Sequence, residues 1–114
     1  MTSAASPNRY ALLIPALNEE ESIGRVLELI PGGLFSQVIV VDNGSEDRTA
    51  QVARAAGACV VREMRRGYGQ ACLAGLGQLH PETTAVAFMD ADLSDDPADL
   101  TRLVELFDEG RGIW

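Results

Sequence analysis

The sequence contains no lysine, and all nine of its basic residues are arginine. A P-loop and the phosphoacceptor pocket of a receiver-like domain both require a lysine, so neither is indicated. His80 is the single histidine, and the two cysteines lack metal-ligand spacing. A Ser-His-Asp or Cys-His nucleophile set therefore cannot be assembled, and a zinc site is not predicted.

Long apolar runs are also missing. No segment reaches the ~18 apolar residues of a membrane span, and Met1–Asn8 lacks the apolar centre of a signal peptide. We therefore expect a cytoplasmic protein, with attachment to the inner face of a membrane left open. Cys59 and Cys72 lie among apolar residues, which predicts buried free thiols in a reducing compartment.

Composition is that of one small globular domain. The chain has 114 residues, of which 46% are apolar, and a net charge of −8. This acidic balance disfavours a nucleic-acid partner. Residues 1–9 are predicted to be a flexible lead-in, and residues 10–114 the folded part.

Four apolar runs of strand length alternate with helical patterns. The predicted strands are Tyr10–Ile14, Val38–Val41, Cys59–Val61 and Ala85–Met89. The helices are predicted to begin at Asn18, Asp47, Gln70 and Pro97. This alternation with short connections predicts an α/β fold with a mostly parallel sheet, in strand order 3-2-1-4. The last strand reads as buried on both faces. The final helical pattern stops abruptly, so we expect the chain to be C-terminally truncated.

Polar residues follow three of the predicted strands: Asn18-Glu19, Asp42-Asn43 and Asp90-Ala91-Asp92. In the order 3-2-1-4 these strand ends are neighbours, and a crevice opens where the winding reverses. Converging carboxylates favour a divalent cation, Mg²⁺ or Mn²⁺, or the hydroxyls of a ribose. The plain alternative is local: helix capping near Asn18, an Asx turn at Asp42, and turn solvation at the last pair.

A basic, glycine-containing loop, Arg65–Gly69, precedes the third helix. Guanidinium groups and helix N-termini both favour phosphate. The loop follows the third strand and not the first, so it is not a dinucleotide-binding fingerprint. A loop with solvated arginines is the alternative interpretation.

Four segments together resemble the family 2 glycosyltransferases: Ile14–Glu20, Val40–Thr49, Arg66–Ala71 and Met89–Pro97. They occur in the family's order, and the resemblance extends over Leu12–Leu106. It is strongest to the polyprenol-phosphate sugar transferases. It implies a GT-A fold and an inverting transfer from a nucleotide-diphosphate sugar to an acceptor, for which a lipid phosphate is one candidate.

The resemblance also implies a nucleotide-sugar site drawn from all four segments: Pro15, Leu17, Glu19, Asp42, Arg66, Asp90, Ala91 and Asp92. Asp92 would be the principal ligand of Mg²⁺ or Mn²⁺, and Asp90 the second acid. Ser94 stands where the mannosyltransferase branch has a metal-contacting glutamine, so that contact is not implied here. No catalytic base is visible, and we expect it beyond Trp114.

Two other functions use similar residues. A nucleotidyltransferase would place a glycine-rich loop with lysine after the first strand, where this chain has Ala16–Glu19. A non-catalytic nucleotide-binding or receiver-like α/β module would also gather acids at strand ends. We therefore expect the nucleotide-sugar-binding half of a metal-dependent glycosyltransferase.

Overall fold

The structure is a computed structural model that describes residues 9–110. Strands and helices alternate as the sequence predicts: β1 (Tyr10–Ala16), α1 (Ile23–Leu29), β2 (Gln37–Asp42), α2 (Thr49–Ala55), β3 (Cys59–Arg62), α3 (Tyr68–Leu76), β4 (Ala85–Phe88) and α4 (Asp99–Asp108). Residues 1–8 of the predicted lead-in, and the last four residues of the chain, lie outside the described residues.

The four strands form one parallel sheet in the order β3-β2-β1-β4, which confirms the predicted topology. Helices α1, α2 and α4 contribute to an apolar cluster on one face, and α3 contributes to a second cluster on the other. The chain therefore winds outward from β1 through β2 to β3 and then returns to β4 across the opposite face. The winding reverses between β1 and β4, where the carboxyl ends of the strands leave a crevice.

Gly75 allows α3 to lie close to the sheet. A Cβ atom at this position would lie 2.3 Å from Leu13 Cδ1 and 3.0 Å from Val41 Cγ2. Both side chains belong to the fully buried centre of the sheet. Any larger residue would push the helix outward, because interiors this dense do not absorb an extra methyl group.

Strand β1 continues past Pro15, which we predicted to close it. The Leu13 carbonyl accepts a hydrogen bond from the Met89 N–H at 3.2 Å, so Pro15, two residues further on, faces the same neighbour. Strand β4 has already ended there, at Phe88. The missing N–H of proline therefore breaks no ladder hydrogen bond, and β1 reaches Ala16.

The prediction that β4 is buried on both faces is wrong. Among the described residues 9–110 it is an edge strand with β1 as its sole neighbour, and the side chain of Phe88 is 44% exposed. Strand β3 forms the opposite edge, which leaves Cys59 exposed. Both cysteines are free thiols as predicted, but Cys72 is half-buried and neither thiol is fully buried.

The helices begin at different residues from those predicted. The largest difference is at α1, which begins at Ile23 and not at Asn18. The intervening residues form a loop with turns, in which the N–H groups of Asn18, Glu19 and Glu20 donate to side chains of the segment after β2. The Glu19 carbonyl accepts from the Ile23 N–H at 2.9 Å, where α1 begins. The acids of this segment therefore precede the first turn of α1.

Candidate functional site

The loops after β1 and β2 are hydrogen-bonded to each other. The Asn18 N–H donates to Ser45 Oγ at 2.8 Å, and Asn18 Oδ1 accepts from the Glu46 N–H at 2.9 Å. The Glu19 N–H donates to Thr49 Oγ1 at 2.8 Å. Asn18 has φ +54°, a left-handed conformation that asparagine tolerates better than most residues. These bonds fix the first predicted ligand-binding segment to the second.

Asp42 is almost fully buried at the end of β2, with 1% of its surface exposed. Its Oδ1 accepts from the Ser45 N–H, three residues further on, at 2.9 Å. The contact is local, as in the predicted alternative, but it is not an Asx turn, which would use the N–H two residues on. Its Oδ2 lies 3.3 Å from Nε of Arg62, whose side chain is half exposed. A ligand that approaches this strand end therefore meets the Arg62 guanidinium before it meets the Asp42 carboxylate.

Asn43 holds the arginine loop in place. Its Nδ2 donates to the carbonyls of Glu63 and Arg65, both at 2.8 Å, and its Oδ1 accepts from the Gly67 N–H at 3.2 Å. Gly67 has φ +121°, which other residues rarely adopt. A buried amide with three backbone bonds thus shapes the loop that carries Arg66.

Arg66 is exposed, and it lies over the turn after β2. Its Nε is 3.6 Å from the position that a Cβ atom on Gly44 would take. The neighbouring Arg65 is committed elsewhere: its Nη2 and Nε lie 2.9 and 3.1 Å from the two carboxylate oxygens of Glu63. This ion pair lowers the pKa of Glu63 to about 2. Arg66 is therefore the better candidate of the two for a phosphate contact, because the Arg65 guanidinium is already paired with a carboxylate.

Asp90 and Asp92 are exposed on either side of the buried Ala91. Ser94 organises both: its N–H donates to Asp92 Oδ1 at 2.9 Å, and its hydroxyl lies 3.4 Å from Asp90 Oδ2. Hydrogen bonds from the Ser94 hydroxyl and then from its N–H lower the pKa of Asp92. Asp92 is therefore held in the ionised form that a cation requires.

The donor set at this loop suits a hard divalent cation. It offers carboxylate oxygens and no nitrogen or sulfur ligand, which favours Mg²⁺ or Mn²⁺ over softer metals. Within residues 9–110, no group of three or more His, Cys, Asp or Glu side chains is placed to hold a metal. Such an ion would accordingly share its coordination shell with phosphate and water, as Mg²⁺ commonly does.

The expectation that acids from separate strands converge into one metal cradle needs correction. The ends of β2 and β4 lie at the same edge of the sheet, but β1 separates them by about 10 Å. The Asp42 carboxylate is turned to Ser45 and Arg62. The structure therefore separates one buried acid from an exposed pair.

The Ser22 hydroxyl, which no sequence pattern singles out, connects two of the predicted segments. Ser22 Oγ lies 2.7 Å from the carbonyl oxygen of Ala91 and 2.9 Å from Glu19 Oε2. Sixty-nine residues separate Ser22 from Ala91, so no local pattern could have revealed the contact. Arg62 was overlooked for the same reason, because its role depends on Asp42 of the neighbouring strand. Asn43 was named as a strand-end residue, but its bonds to the loop after β3 could not be predicted.

The remaining predicted residues lie along the same edge. Pro15 is half-buried in β1, Leu17 is 38% exposed, and the half-buried Glu19 contacts Ser22. All eight predicted residues therefore belong to loops or strand ends on one side of the sheet. Their roles as ligand contacts stay predictions.

An apolar cavity of about 470 Å³ lies elsewhere, between the exposed edge of β4 and α4. Phe88, Leu103 and Phe107 contribute to its walls. Asp90 and Asp92 are not among its lining residues. Met89 and Asp95 do line it, so the cavity adjoins the acidic loop on the side away from the Asp90 and Asp92 carboxylates.

Comparison with known proteins agrees with this geometry. The family model described as "Glycosyl transferase family 2" matches residues 11–113, nearly the whole chain. The chain belongs to glycosyl transferase family 2. An uncharacterized glycosyltransferase of Mycobacterium tuberculosis is 50% identical over 99 residues, which cover 87% of this chain and 44% of the relative.

Two further relatives carry more specific names. The undecaprenyl-phosphate 4-deoxy-4-formamido-L-arabinose transferase of Serratia proteamaculans is 34% identical, over 90% of this chain and 34% of its own length. The crystal structure of M. tuberculosis glucosyl-3-phosphoglycerate synthase, in complex with Mn²⁺, UDP-glucose and phosphoglyceric acid, superposes with a TM-score of 0.80. It is 33% identical, and the match covers 94% of this chain and 42% of that one.

These matches confirm the predicted family and the GT-A fold. The chain spans less than half the length of the relatives it matches. No helix within residues 9–110 is long and apolar enough to cross a bilayer.

Proposed function

We propose that this chain is the donor-binding part of a glycosyltransferase that transfers a sugar, with inversion, from a nucleotide-diphosphate sugar in the presence of Mn²⁺ or Mg²⁺. The observation that carries the proposal is the exposed pair Asp90 and Asp92, organised by Ser94 at the end of β4. The relative of known structure binds Mn²⁺ and UDP-glucose, and it is 33% identical over 94% of this chain.

The residues divide the work of donor binding by their chemistry. Asp92 and Asp90 would hold the ion, which neutralises charge on the departing diphosphate when it is bound. Arg66 supplies a fixed positive charge over the turn after β2, where it can contact a phosphate oxygen. The Glu19 carboxylate can accept a hydrogen bond from a ribose hydroxyl.

In the proposed orientation, the nucleoside of the donor lies at the loops after β1 and β2, and its diphosphate points toward the end of β4. The loops after β1 and β2 are joined by hydrogen bonds from Asn18 and Glu19, so the nucleoside side of the crevice is pre-formed. A diphosphate that extends from there toward β4 would reach the acidic loop. Positioning and charge stabilisation are thus the catalytic contributions of this part of the chain.

The acceptor is proposed to carry a phosphate group. The names of the relatives contain undecaprenyl phosphate in one case and phosphoglycerate in another. Undecaprenyl phosphate offers a phosphate oxygen as the nucleophile, whereas phosphoglycerate offers a hydroxyl group near its phosphate. The first compound is anchored in a membrane and the second is in solution. With a lipid phosphate as acceptor, the transfer would take place at the inner face of the membrane.

Calorimetric titration of the protein with UDP-, GDP- and dTDP-sugars plus Mn²⁺ tests the donor. We expect one nucleotide to bind, and the substitution Asp92→Ala to weaken Mn²⁺ binding at least tenfold. Glu82→Ala is the matched control, because it removes one carboxylate at the opposite end of β4. No binding of any donor, or equal Mn²⁺ affinity in the two variants, would contradict the proposal.

The acceptor is tested separately with a donor that binds. Because the catalytic base is expected beyond Trp114, a protein that extends past this residue is used, and its sugar transfer to 3-phosphoglycerate in solution is compared with transfer to undecaprenyl phosphate in vesicles. The anomeric configuration of the product, read from proton coupling constants, tests inversion. Product with retained configuration would reject the inverting mechanism.

A further inference from the structure

The loop that carries Asp90 and Asp92 has few hydrogen bonds to the rest of the fold, although the buried Ala91 belongs to the apolar cluster that includes residues of α1. Ser94 and Asp95 supply hydrogen bonds within the loop, to Asp90 or Asp92. Strand β4 leads into the loop from an exposed edge of the sheet. The two carboxylates can bind an ion beside the nucleotide only if a contact holds their loop at a defined position in the crevice.

Ser22 supplies that attachment. Its hydroxyl lies 2.7 Å from the Ala91 carbonyl oxygen, between the two acids. Within residues 9–110, no other hydrogen bond joins residues 90–95 to any residue before β4. This bond therefore helps to fix the position of the acidic loop relative to the loop after β1.

The same hydroxyl has a second acceptor. Glu19 Oε2 lies 2.9 Å from Ser22 Oγ, and a serine hydroxyl has a single proton to donate. In the free protein the two acceptors compete for it. A ligand hydroxyl that donates to Glu19 takes up part of the negative charge of that carboxylate, which makes Glu19 a weaker acceptor for the serine proton and favours the bond to Ala91.

We propose that Ser22 is a positioning residue that ties the Asp90–Asp92 loop to Glu19 and thereby couples divalent-cation binding to nucleotide binding. The proposal rests on the proposed function for its ligands. Nucleotide at Glu19 strengthens the Ser22–Ala91 bond and orders the carboxylates, so each ligand raises the affinity for the other. By thermodynamic linkage, the factor is the same in both directions.

Three variants test the coupling. Ser22→Ala removes the hydroxyl, and Ser22→Thr retains it. Ser36→Ala is the matched control, because Ser36 Oγ also donates to a backbone carbonyl, that of Tyr10, at 2.9 Å but at the other end of the sheet. Mn²⁺ affinity is measured with and without UDP for each protein.

We expect UDP to raise Mn²⁺ affinity by the same factor in the wild type, Ser22→Thr and Ser36→Ala. In Ser22→Ala that factor should fall about fivefold, which corresponds to one net hydrogen bond of ~1 kcal/mol. Ser22→Ala with the wild-type factor would overturn the proposal. So would an equal fall in Ser36→Ala, because the effect would then be general loosening of the fold.

A second readout needs no ligand. Backbone ¹⁵N relaxation order parameters at Ala91–Ser94 should fall in Ser22→Ala and stay unchanged in Ser36→Ala. Unchanged order parameters in Ser22→Ala would overturn the positioning role. A wild-type protein that binds neither UDP nor Mn²⁺ would instead reject the proposed function, and the coupling with it, so the two failures are distinguishable.

Discussion

Aspartates lie at the ends of both β2 and β4, but their side chains differ in burial and in hydrogen bonding. Asp42 is 1% exposed and has a partner for each oxygen, the Ser45 N–H and the Arg62 guanidinium. Asp90 and Asp92 are exposed, and the contacts of their carboxylates come from Ser94 in the same loop. The Asp42 carboxylate therefore stabilises the fold, whereas the Asp90 and Asp92 carboxylates remain accessible to a ligand.

The difference follows from the position of each strand in the sheet. Strand β2 lies between β1 and β3, so its end is enclosed by both neighbours, and its last residue, Asp42, is buried. Strand β4 has one neighbour among the described residues 9–110, and its end is open. The exposed carboxylates at the end of β4 are therefore the ones that a cation can reach without displacing a protein partner.

The largest expected effect is on stability at the β2 end. Asp42→Ala leaves the buried Ser45 N–H without an acceptor and removes the partner of Arg62, which should cost about 2 to 3 kcal/mol. Asp92→Ala should leave the unfolding midpoint unchanged. Urea denaturation of the two variants makes the comparison. Equal losses of stability would show that the two strand ends do not differ as described.

A smaller loss is expected at Asn43, the next residue. Asn43→Ala removes three hydrogen bonds to the Glu63–Gly67 loop and should cost about 1 to 2 kcal/mol. It should also weaken nucleotide binding, because Arg66 loses its support. Urea denaturation and calorimetry measure the two effects, with Gln51→Ala on the exposed surface of α2 as the control. If Asn43→Ala kept the stability and the nucleotide affinity of the wild type, the proposed role of the Asn43 side chain would be contradicted.

The Glu63 carboxyl group, in the loop that Asn43 supports, should titrate at an unusually low pH. Arg65 lowers the pKa of Glu63 to about 2, from an ordinary value of 4.5. The ion pair thus contributes above pH ~4.5, and its contribution is lost as the pH falls toward 2. Arg65→Ala should return the pKa of Glu63 toward 4.5, measured by NMR titration of the side-chain carboxyl carbon. A pKa of Glu63 that does not respond to this substitution would reject the ion pair.

The smallest effect is expected at the β4 end. Hydrogen bonds from Ser94 lower the pKa of Asp92 below its ordinary value of 3.8. Ser94→Ala removes the hydroxyl and keeps the N–H, so the pKa of Asp92 should rise only part of the way back. Mn²⁺ binding should then be lost at a slightly higher pH as the solution is acidified. A shift in the opposite direction would contradict this account of Ser94.

The sequence was sufficient for the architecture. Apolar runs separated by helical patterns gave four parallel strands and their order, because short right-handed crossovers leave few alternatives. It was insufficient for burial. The apolar residues of Ala85–Met89 resemble those of a central strand, and only the strand order reveals that β4 has β1 as its single neighbour among the described residues 9–110.

The site was predictable in outline and not in its contacts. The acids after β1, β2 and β4 do lie at one edge, since parallel strands end on the same side. Which acids stay exposed depends on partners distant in the chain, such as Arg62 for Asp42. Ser22 shows the limit best, because its bond to Ala91 crosses sixty-nine residues.

The most direct test of the ion site uses trace Mn²⁺ with UDP added to ¹⁵N-labelled protein. The paramagnetic ion broadens the amide signals nearest to it. We predict the strongest broadening at Asp90–Ser94, with weaker effects toward Asp42. Strongest broadening at Asp95–Asp99, or around Asp47, would contradict the assignment of Asp90 and Asp92 as the residues that hold the ion.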